Sequence, residues 1–341
     1  MVSLKAKVYR RLAAVSVGLS AAIFALPPKA LAQTPSPALL VLEKDAEKLA
    51  IVDPGSLKIV AHVPSGGAPH EVVASDDGKF AYISNYASQQ AGQLKTISVV
   101  DLTTQKALPP VDLGALRAPH GLAFADGKVY FTAEANKAIG RYDPATKQVD
   151  WILGTGQNST HMVVVSKDLK SIFTSNIGSD SICEIEQIRN GHDWSVTAIS
   201  VGKGPEGFDL SPDGREVWVA NSQDGSVSII DTATKRVTQT IDVKTKHSNR
   251  LKLTPDSRLA LISDPEAAEL VIADVAAREV RKRLHVGRGP EGTLVQPDGT
   301  KAYVALSGDN AVAVIDLKTL EVIGRIETGN GPDGLAWAQR K

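Results

Sequence analysis

Three histidines hold one position in three similar stretches of this 341-residue chain: His70 in "GAPHEVVASDDGKFAYISNY", His120 in "RAPHGLAFADGKVYFTAE" and His161 in "NSTHMVVVSKDLKSIFTSN". Three imidazoles with a carboxylate can hold zinc, copper or another divalent transition metal if the ring nitrogens converge to about 2.1 Å from one point. The same set can act as general acid and base on a polar substrate, a carboxylate raising the basicity of its histidine neighbour. A third role is structural, a polar side chain bonding the backbone of the adjacent loop. These residue types do not choose among the three.

The position recurs beyond the histidines. Aligned on the apolar run that follows, the marker residues are His70, His120, His161, Glu206, Asn249, Glu291 and Asp333, separated by 50, 41, 45, 43, 42 and 42 residues. Between markers the chain reads as four short runs rich in Val and Ile, split by turn chemistry, as in "FDLSPDGREVWVANSQDGSVSIIDTATKRVTQTIDV". "SPDGRE" and "DTATKR" are turn formers, Pro and Asp initiating and Gly accepting positive φ. Four strands per 40-odd residues is the pattern of a propeller blade, and runs this short exclude a helical solenoid of similar period. The expected fold is all-β, a seven-bladed β-propeller over 33–341. Residues after "TPSP" supply three strands of a blade and "GPDGLAWA" supplies its first, so the two ends are expected to close the ring in one shared blade.

In a propeller the first strand of each blade lines the channel, so the seven markers should ring one mouth of it. Residues ending each second strand, among them Asn85, Tyr86, Glu134, Asn176, Asn221, Asp264 and Asp309, should form a wider ring. With Arg250 beside Asn249, the expected ligand-binding set is His70, His120, His161, Glu206, Asn249, Glu291, Asp333, Asn85, Tyr86, Asn176, Asn221 and Arg250. A divalent transition metal, if held, is expected on His70, His120 and His161.

The first 32 residues have a different character. Lys5, Lys7, Arg10 and Arg11 precede an apolar stretch from Leu12 to Leu26, and Ala30 and Ala32 supply a small-residue cleavage site. This reads as a signal peptide, giving an exported, periplasmic or secreted chain starting at Gln33, without a later membrane anchor and expected to be monomeric. Its removal takes five basic residues from a balance of 38 against 38, leaving 33 against 38, a net of −5. That excludes a nucleic-acid binder on charge. Cys183 is the sole cysteine, so no internal disulfide is available, and it reads as a buried thiol on a strand.

"YISN" at 82, "FTSN" at 173, "WVAN" at 218 and "YVAL" at 303 resemble the YVTN repeat of bacterial and archaeal seven-bladed propellers, including YncE-like and surface-layer-associated proteins. The resemblance covers nearly all of 33–341 and implies the fold; its members bind ligands, decorate surfaces or catalyse. "FTAE" at 131 and "LISD" at 261 depart from it. A weaker resemblance, to propeller lactonases, rests on "PHEVV" and "DDGKFAYISNY" and carries over no catalytic residue. The expectation is therefore an exported propeller binding a small-molecule or protein ligand on the histidine face. The alternatives are a metal-assisted, lactonase-like hydrolase or lyase in the channel mouth, and a cell-envelope adhesion or scaffold module.

Overall fold

Short β-branched runs separated by Asp, Gly and Pro cannot fold back on themselves except as hairpins, and the chain does so throughout. In the computed structural model, which describes residues 33–88, 92–188 and 193–341, the strands form seven antiparallel sheets of four. The signal peptide expected at 1–32 and residues 89–91 and 189–192 lie outside the described residues.

Blade 1 begins with the strand Pro69–Ala74, blade 2 with Pro119–Ala125, blade 3 with Thr160–Val165, blade 4 with Pro205–Leu210, blade 5 with Leu251–Leu253 and blade 6 with Pro290–Val295. Each is followed by three more strands in sequence order. Blade 7 is made from both ends of the chain: Pro332–Ala338 lies beside Ala38–Glu43, which continues to Lys48–Asp53 and Lys58–Pro64. The pairing runs Ala38 to Ala338 through Val41 to Leu335. Ring closure by this register is as expected, and it satisfies two strand edges that an open ring would expose.

The core lies between blades. One buried cluster joins Leu40, Leu42, Leu49 and Ile51 of blade 7 to Val72, Ala81, Ile83 and Val100 of blade 1. Another joins Tyr303, Val312 and Val314 of blade 6 to Leu39, Val41, Ala50 and Val52 of blade 7. Each sheet buries both faces, so its middle strands read as near-continuous apolar runs such as "ALLVLE" and "AVAVID". Cys183 is buried in this packing.

Two local devices set the histidine end. In six blades the residue before the first strand turns the chain left-handed: Ala68, Ala118, Ser159, Gly204, Gly289 and Gly331 have φ between 44° and 64°. Its carbonyl accepts a backbone N–H from the end of the second strand or the residue after it, as in Tyr86 to Ala68 and Glu134 to Ala118. Inside the channel, glycine follows the marker at Gly121, Gly207, Gly292 and Gly334, where neighbouring first strands nearly touch. A Cβ at Gly121 would stand 2.6 Å from the His161 carbonyl oxygen. Glycine is therefore required here by space, not by dihedral angle.

Candidate functional site

At the channel mouth the marker backbones are held by hydroxyls of the second strands, which leaves their side chains free for other work. Thr132 donates to the His161 carbonyl at 2.7 Å, Ser175 to that of Glu206 at 2.9 Å and Ser263 to that of Glu291 at 2.8 Å. Each hydroxyl also accepts a backbone N–H of its own first strand, from Gly121, Met162 and Arg250 respectively. None of these bonds uses a marker side chain.

The three histidines meet. The His120 and His161 rings stack with centroids 3.7 Å apart, and His70 lies tilted against His120 at 4.7 Å. Tyr86 presents its ring edge-on to both His70, at 5.2 Å, and His120, at 5.0 Å. At one end of the row His70 Nδ1 is 3.1 Å from Asp333 Oδ2; at the other His161 Nδ1 is 3.5 Å from Glu134 Oε2. Lys44 Nζ approaches Asp333 at 3.5 Å. The order across the mouth is therefore carboxylate, three imidazoles, carboxylate.

The rings expected to hold a metal, His70, His120 and His161, lie against one another. Imidazole lone pairs lie in the ring plane, so stacked rings send them past one another and not to a common point. Among the described residues no group of three or more His, Cys, Asp or Glu side chains is placed to hold a metal ion.

The other half of the ring is ionic. Arg250, buried, pairs with Glu71 of blade 1 on the far side of the channel and lies 3.8 Å from Glu206. Asn249 Nδ2 donates to Glu206 Oε1 at 2.7 Å, and Ser307 donates to Glu291 Oε1 at 2.7 Å. The Glu71–Arg250 pair crosses the channel as a bar. Beyond it lies a cavity of about 350 Å³ with apolar walls that include Leu122, Phe124, Met162, Phe208 and Trp337.

Burial first, then the neighbouring His161 and His70, hold the His120 imidazole well below its usual pKa, so it is neutral. Burial pushes Asp333 up, but the close approach of His70 and the charges of His70, Arg250 and Lys44 overcome it and hold the carboxyl below the usual range. Burial likewise opposes ionisation of Glu134, and contacts with His161, Tyr86 and Ser159 bring it down overall. Glu291 is raised, by burial and then by the charge of Asp333. Burial, reinforced by a hydrogen bond to Glu134, raises the Tyr86 phenol.

The wider ring divides by one residue. Asn85, within the second strand Phe80–Ser88 of blade 1, and Asn176 and Asn221, the last residues of theirs, are buried. Asn85 Nδ2 donates to the Ser65 and Gly67 carbonyls, both at 3.0 Å; Asn176 Nδ2 donates to Ser181, and Asn221 Nδ2 to Ser226 and Ser228. Asp264 accepts the backbone N–H groups of Lys246 and His247, and Asp309 those of the Arg288 backbone and guanidinium. Tyr86, the residue after Asn85, and Glu134, Lys44 and Ser307, each the residue past a second strand, reach the markers instead. Adjacent residues point to opposite sides here, so a shift of one exchanges the two roles. Sequence reasoning missed Glu71, whose signal was a carboxylate where four blades carry glycine, and Lys44.

Fold and ring place the chain in the class of seven-bladed β-propellers. Residues 182–337 match the family model described as the choice-of-anchor I domain. No curated protein sequence matches the chain. Among solved structures, a putative 6-phosphogluconolactonase from Bacteroides uniformis is similar at 17% identity and a TM-score of 0.72, covering 89% of this chain and 99% of its own. The periplasmic gluconolactonase of Pseudomonas aeruginosa is similar at 16% identity and 0.71, covering 90% and 100%. Hydrazine synthase of Kuenenia stuttgartiensis is similar at 18% and 0.70, covering 82% and 92%. At these identities what is shared is the fold.

Proposed function

We propose that this chain is an exported propeller that binds a small polar ligand at the histidine mouth of its channel, on His70, His120, His161, Tyr86, Glu134 and Asp333. The observation that carries the reading is a concentration of buried polar atoms lacking aligned hydrogen-bond partners: Nδ1 of each of the three histidines, Glu134 Oε2 and both Asp333 carboxylate oxygens. The ion-pair approaches to His70 and His161 are close in distance but off hydrogen-bond geometry. A buried donor or acceptor left unmade costs about 1–3 kcal/mol, and His120 Nδ1 and Asp333 Oδ1, which have no ion-pair approach of their own among the described residues, make the clearest demand for a polar group from outside. Export rests on the signal-peptide pattern of 1–32 and agrees with the periplasmic gluconolactonase among the similar folds.

A second reading is hydrolysis of a lactone, the substrate class named by two of the similar structures. Its specific support is the neutral His120 between two imidazoles that end on carboxylates. Water would attack the lactone carbonyl carbon while an imidazole takes its proton, and the ring oxygen would leave with a proton, giving the open hydroxy acid.

Titration of the chain from Gln33 with gluconate and with D-glucono-1,5-lactone, with proton release followed in parallel, tests both. Saturable binding that is lost alike in His70→Ala, His120→Ala and His161→Ala, with the double variants no worse, is expected, because the groups act as a unit. Unchanged affinity in all three variants would overturn the site. Binding of lactone without proton release would overturn the hydrolytic reading alone.

A further inference from the structure

On the opposite face, between the turns of blades 3 and 4, a groove of about 590 Å³ is lined by Val164, Phe173, Glu184, Asp209, Leu210 and Ser211 among others. Glu184 lies on the third strand of blade 3, opposite Phe173 in the register. In the other blades the residue opposite the corresponding position is Trp218, Leu261, Tyr303, Tyr82, Leu40 or Tyr130. Five of those six partners are apolar and buried or nearly so: Ile229, Ile272, Val314, Val99 and Ile51. The sixth is Arg141, which is paired with Asp150 at 2.8 Å. Glu184 is thus a carboxyl at a core position. It is 2% exposed, and its Oε2 has no hydrogen-bond partner among the described residues.

The charges around it are committed elsewhere. Lys235 pairs with Glu186, Lys167 donates to the Pro212 carbonyl at 3.1 Å, and Asp209 accepts the Leu253 N–H at 3.0 Å with Lys252 at 3.7 Å. That leaves Glu184 Oε2 without a hydrogen-bond partner among the described residues, in a groove whose lining carries Val164, Phe173 and Leu210 beside Glu186, Asp209 and Asp213.

We propose that this groove is a second ligand site, taking a primary ammonium group carried on an apolar stem. A single free oxygen suits the point charge of an ammonium, whereas a guanidinium fork needs two oxygens side by side. The stem packs on Val164, Phe173 and Leu210. Burial raises the Glu184 carboxyl to about 7, so the site charges, and binds, as pH rises through neutrality.

The test is calorimetric titration of the chain from Gln33 with n-butylammonium, Nα-acetyl-lysine methylamide and, as neutral control, 1-butanol. Saturable binding of n-butylammonium, strengthening about tenfold per unit of pH below neutrality and levelling above it, is expected. Glu184→Gln, whose folding is checked by its melting curve, should weaken it at least tenfold at about pH 8, and His120→Ala should leave it unchanged, which separates this site from the channel mouth. Binding of the lysine derivative as well assigns the site to protein-borne ammonium; binding of the free amine alone assigns it to a small molecule. No saturable binding of either cation, equal binding of 1-butanol, or equal affinity in Glu184→Gln would overturn the proposal.

Discussion

Removing Arg250 should unbalance the channel more than any other single change at its mouth. The guanidinium is 6% exposed and serves Glu71 and Glu206, whose side chains are 13% and 14% exposed. Arg250→Met keeps the length of the stem but leaves two half-hidden carboxylates facing each other without a cation. Stripping one partner from a buried pair costs about 3–5 kcal/mol, most of it from the charge left behind. For a domain of this size that is a fall in melting temperature of roughly 5–8 °C. Glu71→Gln in the same chain removes the stranded charge nearest the missing guanidinium, so the double variant should regain about half of the loss, a coupling of roughly 2 kcal/mol in a double-mutant cycle. Urea unfolding of wild type, both singles and the double gives the four free energies. If the double variant falls by the sum of the singles, Glu71 and Arg250 do not act on each other and the bar across the channel is not an energetic unit.

Glu184→Gln should remove a pH dependence. A carboxyl raised from 4.5 to about 7 by burial keeps its proton in the folded state after the unfolded chain has lost it. Wild-type stability therefore declines as pH rises between these values, by up to about 3 kcal/mol, and the difference between variant and wild type should favour the variant at about pH 8 and vanish near pH 4. Urea unfolding at both pH values reads it, and a constant difference would refute the assignment. Deleting Gly334–Lys341 removes most of the strand paired with Ala38–Val41 and opens both strand edges. The cost should be several kcal/mol, and soluble yield should collapse; a truncated chain melting with the full one would refute closure in this register.

The fold was legible because propellers repeat, and period is robust to local ambiguity. The seven markers, the shared last blade and the meeting of His70, His120 and His161 all follow from counting one position through the chain. Ring orientation is not fixed by that count. His120 and His161 occupy equivalent positions in adjacent blades, and neighbouring equivalents whose strands nearly touch at Gly121 come face to face, which favours stacking over convergence. The same limit produced the one-residue ambiguity at the second-strand ends, where Asn85 turns inward and Tyr86 reaches the site.

The residues missed are informative for a common reason. In a repeat fold the consensus positions build the scaffold, and a side chain that breaks consensus at a buried place carries an energetic penalty which something must offset. Glu71 and Arg250 break the glycine column in two blades, and they offset each other across the channel. Arg141 breaks the apolar third strand of blade 2 and is offset by Asp150 and the faces of Tyr130 and Trp151. Glu184 breaks the same position in blade 3 and has no offset for Oε2 among the described residues. The three imidazoles repeat this logic at the mouth: their backbones follow the consensus and their Nδ1 atoms do not find aligned partners. Where deviations from the repeat pair off, the chain has solved its own packing; where they do not, the remaining partner has to come from solution.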